Sequence, residues 1–268
     1  MGRLRYGYAD TNDGQVHYRR VDGPGDRPLV LLHQTASSGA MFELVMAGLA
    51  PERPSIAFDT PGFGNSFVPA GAVSLDYLAG CLVEALDALG VDRFDLCGHH
   101  TGGCIALEIA ARVPGRVNSL GLIGPVVASP AERDAFRATF TTPFTLAADG
   151  SHLKVAWDYL ASIGADSSPQ LHQRELIDHL RGSETMPKAF AAVWDQDTSA
   201  RLAAVTVPVL LMIANDDALY PIFHNATAAR PDATVSIVDG MDFQPDRDPA
   251  GVVAGLSQFL AMAAPTAG

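Results

Sequence analysis

The chain has 268 residues, 48% of them apolar and 18% charged, the composition of one sizeable folded domain, and no apolar run approaches the roughly 18 residues a bilayer-spanning helix needs. Lys and Arg number 18 against 30 Asp and Glu, a net charge of −12. Long-range repulsion from phosphate backbones and anionic headgroups therefore argues against nucleic-acid and membrane partners.

In chain order, residues 5–10 and 15–21 read as two short strands joined through Asn12-Asp13-Gly14, a turn sequence suited to a hairpin. Residues 28–33, 55–59, 93–98 and 119–124 are continuous apolar runs, the mark of parallel strands covered on both faces. Helical spacing of apolar residues falls between them at 41–49, 75–89 and 103–113, with Ser74 placed to cap the second. Residues 125–184 break the alternation with a polar, mostly helical stretch interrupted by Pro143, Gly150, Gly164 and Pro169. Alternation returns with a strand at 209–214, a helix at 218–229, a strand at 234–238 and a closing helix at 249–262. Residues 1–8 carry no apolar export signal, and Cys81, Cys97 and Cys104 form neither a disulfide framework nor a Cys-x-x-Cys pair, which fits a reducing cytoplasm.

The segment Phe94-Asp95-Leu96-Cys97-Gly98-His99-His100-Thr101-Gly102-Gly103 runs from an apolar strand through Gly-x-His-x-Gly into a helix. It resembles the nucleophile elbow of the α/β-hydrolase family, where Gly-x-Ser-x-Gly makes so sharp a strand-to-helix turn that only small flanking residues fit. Three further segments follow in that family's order. Leu31-Leu32-His33-Gln34-Thr35 is similar to its oxyanion-hole segment, and Asp59-Thr60-Pro61-Gly62-Phe63-Gly64-Asn65-Ser66 to its Asp-x-Pro-Gly-x-Gly-x-Ser loop. The stretch from Val209 to Asp217 and Pro221 is similar to the strand and loop that carry the triad acid. The resemblance implies an α/β-hydrolase fold: a mostly parallel eight-stranded sheet flanked by helices, with the core at 1–124 and 185–268 and a helical lid inserted over 125–184.

Two of the three triad positions that the resemblance implies are changed. His100 takes the serine position, Asp242 stands where the histidine is expected before Phe243, and Asp217 keeps the acid position. An acyl-serine mechanism needs a hydroxyl activated by an imidazole, and neither is in place. His100 is long enough to meet Asp242 or Asp217, and it becomes the candidate general base oriented by one of them. The helix that follows favours neutral imidazole by about 0.3–1 kcal/mol. A carboxylate at roughly 4 Å favours imidazolium by about 4 kcal/mol at an effective dielectric of about 20, so the carboxylate decides. The backbone N–H groups of Thr101 and of Gln34 and Thr35 are candidate oxyanion donors.

His99 and His33 are expected to pack and hydrogen-bond beside the pocket, and Cys97 and Cys104 to sit in the core. Phe136, Phe140, Phe144, Trp157, Trp194, Tyr220 and His224 are candidate pocket-lining residues, core packing being the alternative. No nucleotide-binding glycine motif or metal-spaced His/Cys cluster occurs, so no cofactor and no metal are expected. Three functions remain for a small-molecule substrate: hydrolysis of an ester, lactone or C–C bond with His100 as base, lyase or isomerase chemistry with the same base, or binding without turnover. A homodimer is compatible with all three.

Overall fold

The computed structural model describes residues 3–140 and 145–263. Eight strands form one sheet: β1 (Leu4–Asp10), β2 (Gln15–Val21), β3 (Leu29–Leu32), β4 (Ser55–Phe58), β5 (Phe94–His99), β6 (Val117–Ile123), β7 (Val209–Ala214) and β8 (Thr234–Val238), in the spatial order β1-β2-β4-β3-β5-β6-β7-β8. The opening hairpin is antiparallel, β2 meets β4 antiparallel, and the six strands from β4 to β8 run parallel. Every residue of β3, β4, β5 and β7 is buried, which is why these segments read as unbroken apolar runs. On the edge strand β8 burial alternates, and Val235 and Ile237 are half exposed.

Helices cover both faces. α2 (Leu75–Ala88) and α3 (Thr101–Arg112) pack on one side, and α1 (Glu43–Leu49) and α11 (Pro249–Met262) on the other. In α2 the buried Leu75, Leu78, Ala79, Leu82, Ala85 and Leu86 recur at helical spacing, each fully buried leucine contributing about 1.5–3 kcal/mol. The Ser74 hydroxyl caps this helix by accepting from the Tyr77 N–H at 3.1 Å. Two helices expected to be continuous begin as 3-10 turns: Gly39–Phe42 precedes α1, and Tyr220–Ile222, with Pro221 inside it, precedes α9 (Phe223–Ala229). The last short helix before α11 is α10 (Gln244–Arg247).

Between β6 and β7 the chain forms α4 (Pro130–Phe140), α5 (Ser151–Ser162), α6 (Pro169–Arg181), α7 (Met186–Asp195) and α8 (Thr198–Ala204). Helical structure thus runs on beyond residue 184, to Ala204. Among the described residues no helix is long and apolar enough to cross a membrane.

The loop after β4 is fastened by one side chain. Asp59 accepts from His17 Nδ1 at 2.8 Å, Arg19 Nη1 at 2.6 Å, the Gly39 N–H at 2.8 Å and the Asn65 N–H at 2.9 Å. Gly64 has φ +55° and a Cβ there would collide with the Asp59 carboxylate, so this position requires glycine. Burial alone would raise the acid's pKa, but His17 and Arg19 hold it well below the usual carboxylate range.

Candidate active site

The bend between β5 and α3 falls at His100, whose backbone takes φ 47° and ψ −114°, a conformation that costs a non-glycine residue strain. The glycines around it are there for closeness. A Cβ on Gly98 would collide with the Gly102 carbonyl, and one on Gly102 with the Leu32 carbonyl, so the strand can turn directly into the helix only with both. Gly124, at φ +55°, leaves room for the ring itself, since a Cβ there would collide with His100.

The imidazole has one fixed nitrogen. His100 Nε2 donates to Asp217 Oδ2 at 2.9 Å, and Nδ1 has no hydrogen-bond partner among the described residues. The choice between Asp217 and Asp242 that the sequence left open is resolved geometrically: Asp217 holds the ring, while Asp242 Oδ1 accepts from the Ala218 N–H at 2.9 Å. Asp217 is itself saturated, with Oδ1 accepting from the Leu219 N–H at 2.7 Å and Oδ2 also accepting from Gln244 Nε2 at 2.5 Å.

This network dictates the state of His99. Gln244 gives its amide N–H to Asp217, so its Oε1 faces His99 and accepts from Nε2 at 2.7 Å. His99 Nε2 therefore carries the proton, and its buried Nδ1 lacks a partner. Burial, with the neighbouring His100, pushes the His99 pKa well below its ordinary value, so the ring is neutral. His99 stacks on His100 with centroids 4.3 Å apart and planes 30° from parallel.

His100 differs. Burial opposes its charged form, but the charge and hydrogen bond of Asp217, helped by Asp242, outweigh it and raise the pKa above the ordinary histidine value. Asp217 is pushed upward by burial and brought below its usual range by His100 and the Leu219 N–H. Asp242, where burial outweighs the pull of His100, is raised.

His99, His100 and Asp217 offer ligand atoms within 4.8 Å of one another. Both Nε2 atoms are engaged, that of His99 with Gln244 and that of His100 with Asp217. The grouping is built as a hydrogen-bonded network.

His100 opens on a chamber of about 90 Å³ that also reaches Gln34, Thr35, Thr101 and Asp242, so five of the six residues singled out in the sequence share one wall and Asp217 stands behind the ring. The Thr101 N–H, in the first turn of α3, has no acceptor within its helix. The rest of the lining is apolar: Phe136 and Phe140 of α4, Tyr159 and Ile163 at the end of α5, Phe190, Val193 and Trp194 of α7, with Val126 and Leu219. Trp157, Tyr220 and His224 lie elsewhere, and Phe144 falls outside the described residues. Tyr159 and Phe190 were not foreseen, because a helix that walls a chamber and one that packs on a core share the same apolar spacing.

His33 receives the Thr60 N–H on Nε2 at 2.9 Å and donates from Nδ1 to the Gln34 carbonyl at 2.7 Å. Burial lowers its pKa, and as a neutral ring it ties the segment after β3 to the loop after β4. Cys97 and Cys104 are buried in the core.

An α/β sheet with a largely apolar chamber at the carboxyl ends of its strands, reached by a histidine on a strained bend and a few polar groups, is the framework of an enzyme. The alpha/beta hydrolase fold family matches residues 27–243, and the chain belongs to that family. It is 30% identical over 242 residues to the putative carbamate hydrolase RutD of Azorhizobium caulinodans, covering 87% of this chain and 89% of that protein. It is also 30% identical over 246 residues to the carboxylesterase YbfK of Bacillus subtilis, covering 86% and 79%. A solved enol-lactonase from Burkholderia xenovorans superposes with TM-score 0.76 at 21% identity, over 95% of this chain and all of that one, a likeness of fold alone. These relatives place the chain among the hydrolases.

Proposed function

We propose that this hydrolase cleaves an ester, lactone or C–C bond of a small organic substrate with His100 as general base in the place where its family carries a serine nucleophile. The observation that carries the reading is the tethering of His100: Nε2 is held by Asp217, Nδ1 has no hydrogen-bond partner among the described residues, and the residue lines the chamber. In the neutral ring Nε2 then carries the proton, and the Nδ1 lone pair takes one from water or from the substrate. Water so activated attacks the carbonyl, the developing oxyanion is met by the N–H of Thr101 and of the Gln34–Thr35 segment, and the proton on His100 passes to the leaving group. Asp217 stabilises the imidazolium meanwhile, and Asp242, on the chamber wall with Oδ1 held by the Ala218 N–H, adds to the negative field that favours it. The helices α4 to α7 serve as a lid that supplies the apolar wall, matched to an uncharged acyl or aromatic group. The curated names of the relatives, a carbamate hydrolase and a carboxylesterase, support an acyl substrate.

Turnover of aryl esters, lactones and β-diketones in ¹⁸O water tests the reading. Incorporation of solvent oxygen into the acid product, with a loss of about 10²–10⁴ in rate in His100→Ala, is the expected result. Turnover without label assigns the same base to a lyase or isomerase reaction, and full activity in His100→Ala overturns the assignment.

A further inference from the structure

The segment that carries Gln34 and Thr35 does not end at the chamber. Two residues further on, Ser37 and Ser38 are almost fully buried, and each gives its hydroxyl to a carboxylate of α6: Ser37 Oγ to Glu175 Oε1 at 3.1 Å, and Ser38 Oγ to Asp178 Oδ2 at 2.7 Å. Helix α6 turns Leu171, His172, Glu175, Asp178 and His179 inward, so a largely polar face is buried where an apolar one is usual. Packing adds to the contact. Just past α6, Gly182 lies against Ala36 and Phe63, and a Cβ there would stand 3.1 Å from the Ala36 methyl.

We infer that Glu175 and Asp178 are positioning residues: by gripping Ser37 and Ser38 they couple the docking of the helical insertion to the placement of Gln34 and Thr35 in the chamber wall. The functional meaning rests on the reading of Gln34 and Thr35 as the oxyanion segment, whereas the coupling itself stands on the hydrogen bonds. Ser38 works at both ends, since its oxygen also accepts the Ala40 N–H at 3.3 Å and so caps the turn that leads into α1.

The charges around the grip make it sensitive to pH. Glu175 faces Arg174 and Asp178 of its own helix, Asp246 of α10, and Ser37. Asp178 faces Ser38, Arg174, Asp59 and His33, and Asp246 faces Arg174 and Glu43 of α1. One guanidinium, bound to both oxygens of Asp246 at 2.7 Å and to Glu175 at 2.5 Å, thus serves two carboxyl groups directly and Asp178 through its charge alone. Burial pushes Glu175 up to about 7 against the pull of Arg174. A group raised in the docked state supports docking fully below its ordinary value and loses that support as pH rises through the raised one, so the grip loosens as pH climbs to about 7 and is loosest just above it.

Hydrogen exchange on the whole protein reads this without a substrate, and its result is independent of whether His100 is the base. The amides to follow are Ser37, which donates to the Gln34 carbonyl at 3.0 Å, and Gly39, which donates to Asp59 at 2.8 Å. Protection, taken relative to the unstructured rate at each pH, is expected to fall about tenfold between pH 6 and pH 8 in the parent. Glu175→Gln should keep the pH 6 protection at pH 8, and Ser37→Ala should lose protection at both while amides of β5 and α2 stay unchanged. Equal protection at both pH values in the parent, an undiminished fall in Glu175→Gln, or unchanged protection in Ser37→Ala would each overturn the inference.

Discussion

Two buried aspartates, one just past β4 and one past β7, are each bonded to a histidine, Asp59 to His17 at 2.8 Å and Asp217 to His100 at 2.9 Å. Their surroundings differ. Asp59 is enclosed by Arg19 and two backbone N–H groups, and its histidine is covered by the rings of Tyr6 and Tyr8. Asp217 has a neutral amide and one backbone N–H, and its histidine opens on a chamber. The same pair is a strut where a guanidinium fixes the carboxylate and nothing else can reach the ring. It becomes a candidate catalytic dyad where the carboxylate's countercharge is the imidazole itself and the histidine borders a chamber that can take a substrate.

A substitution at the aspartate of each pair separates the roles. Asp217→Asn removes the charge that raises His100 and should cost about 10²–10⁴ in kcat/KM. It should also move the midpoint of the pH–rate profile, which in the parent lies above the ordinary histidine value because the neutral ring is the active form, to lower pH. Steady-state rates from pH 5 to 9 on a substrate found in the labelling screen check both, and an unmoved midpoint would remove Asp217 from the dyad. Asp59→Ala should act on stability instead, by about 3–5 kcal/mol, because Arg19 is left buried without its partner. Urea unfolding measures it. A loss under 1 kcal/mol would show that the strut is ornamental.

Much of this was legible in the residues, for stated reasons. Continuous apolar runs marked β3 to β7, and Gly98 and Gly102 marked the bend, because those patterns have few physical alternatives. The pocket position of His100 followed from that bend. The partner of His100 did not, since Asp217 and Asp242 lie 25 residues apart in sequence and both reach the same ring field. Gln244, which fixes both His99 and Asp217, carried no signal either, as a lone glutamine beside Pro245 reads as a helix start. The grip of Glu175 and Asp178 on Ser37 and Ser38 spans about 140 positions, a pairing that only folding reveals.

The smallest expected effect is the dependence of stability on pH, and it distinguishes the pairs by sign. Asp59 has a lowered pKa, so its contribution is present above the ordinary carboxylate value and is lost as pH falls through the folded one. Asp217 behaves likewise on the acid side. His100 is raised, so its share is present below about 6.5 and fades as pH climbs through its folded value. Unfolding free energy should therefore decline towards acid through the Asp59 and Asp217 limb and towards alkali through the His100 limb, on top of the loss that Glu175 adds as pH rises to about 7. Asp59→Asn should flatten the acid arm while His100→Gln removes the His100 share of the alkaline decline, leaving what Glu175 contributes. Denaturant titrations at half-unit steps from pH 3 to 9 measure this, and an alkaline arm unchanged by His100→Gln would mean that Asp217 does not hold a charged imidazole in the folded protein.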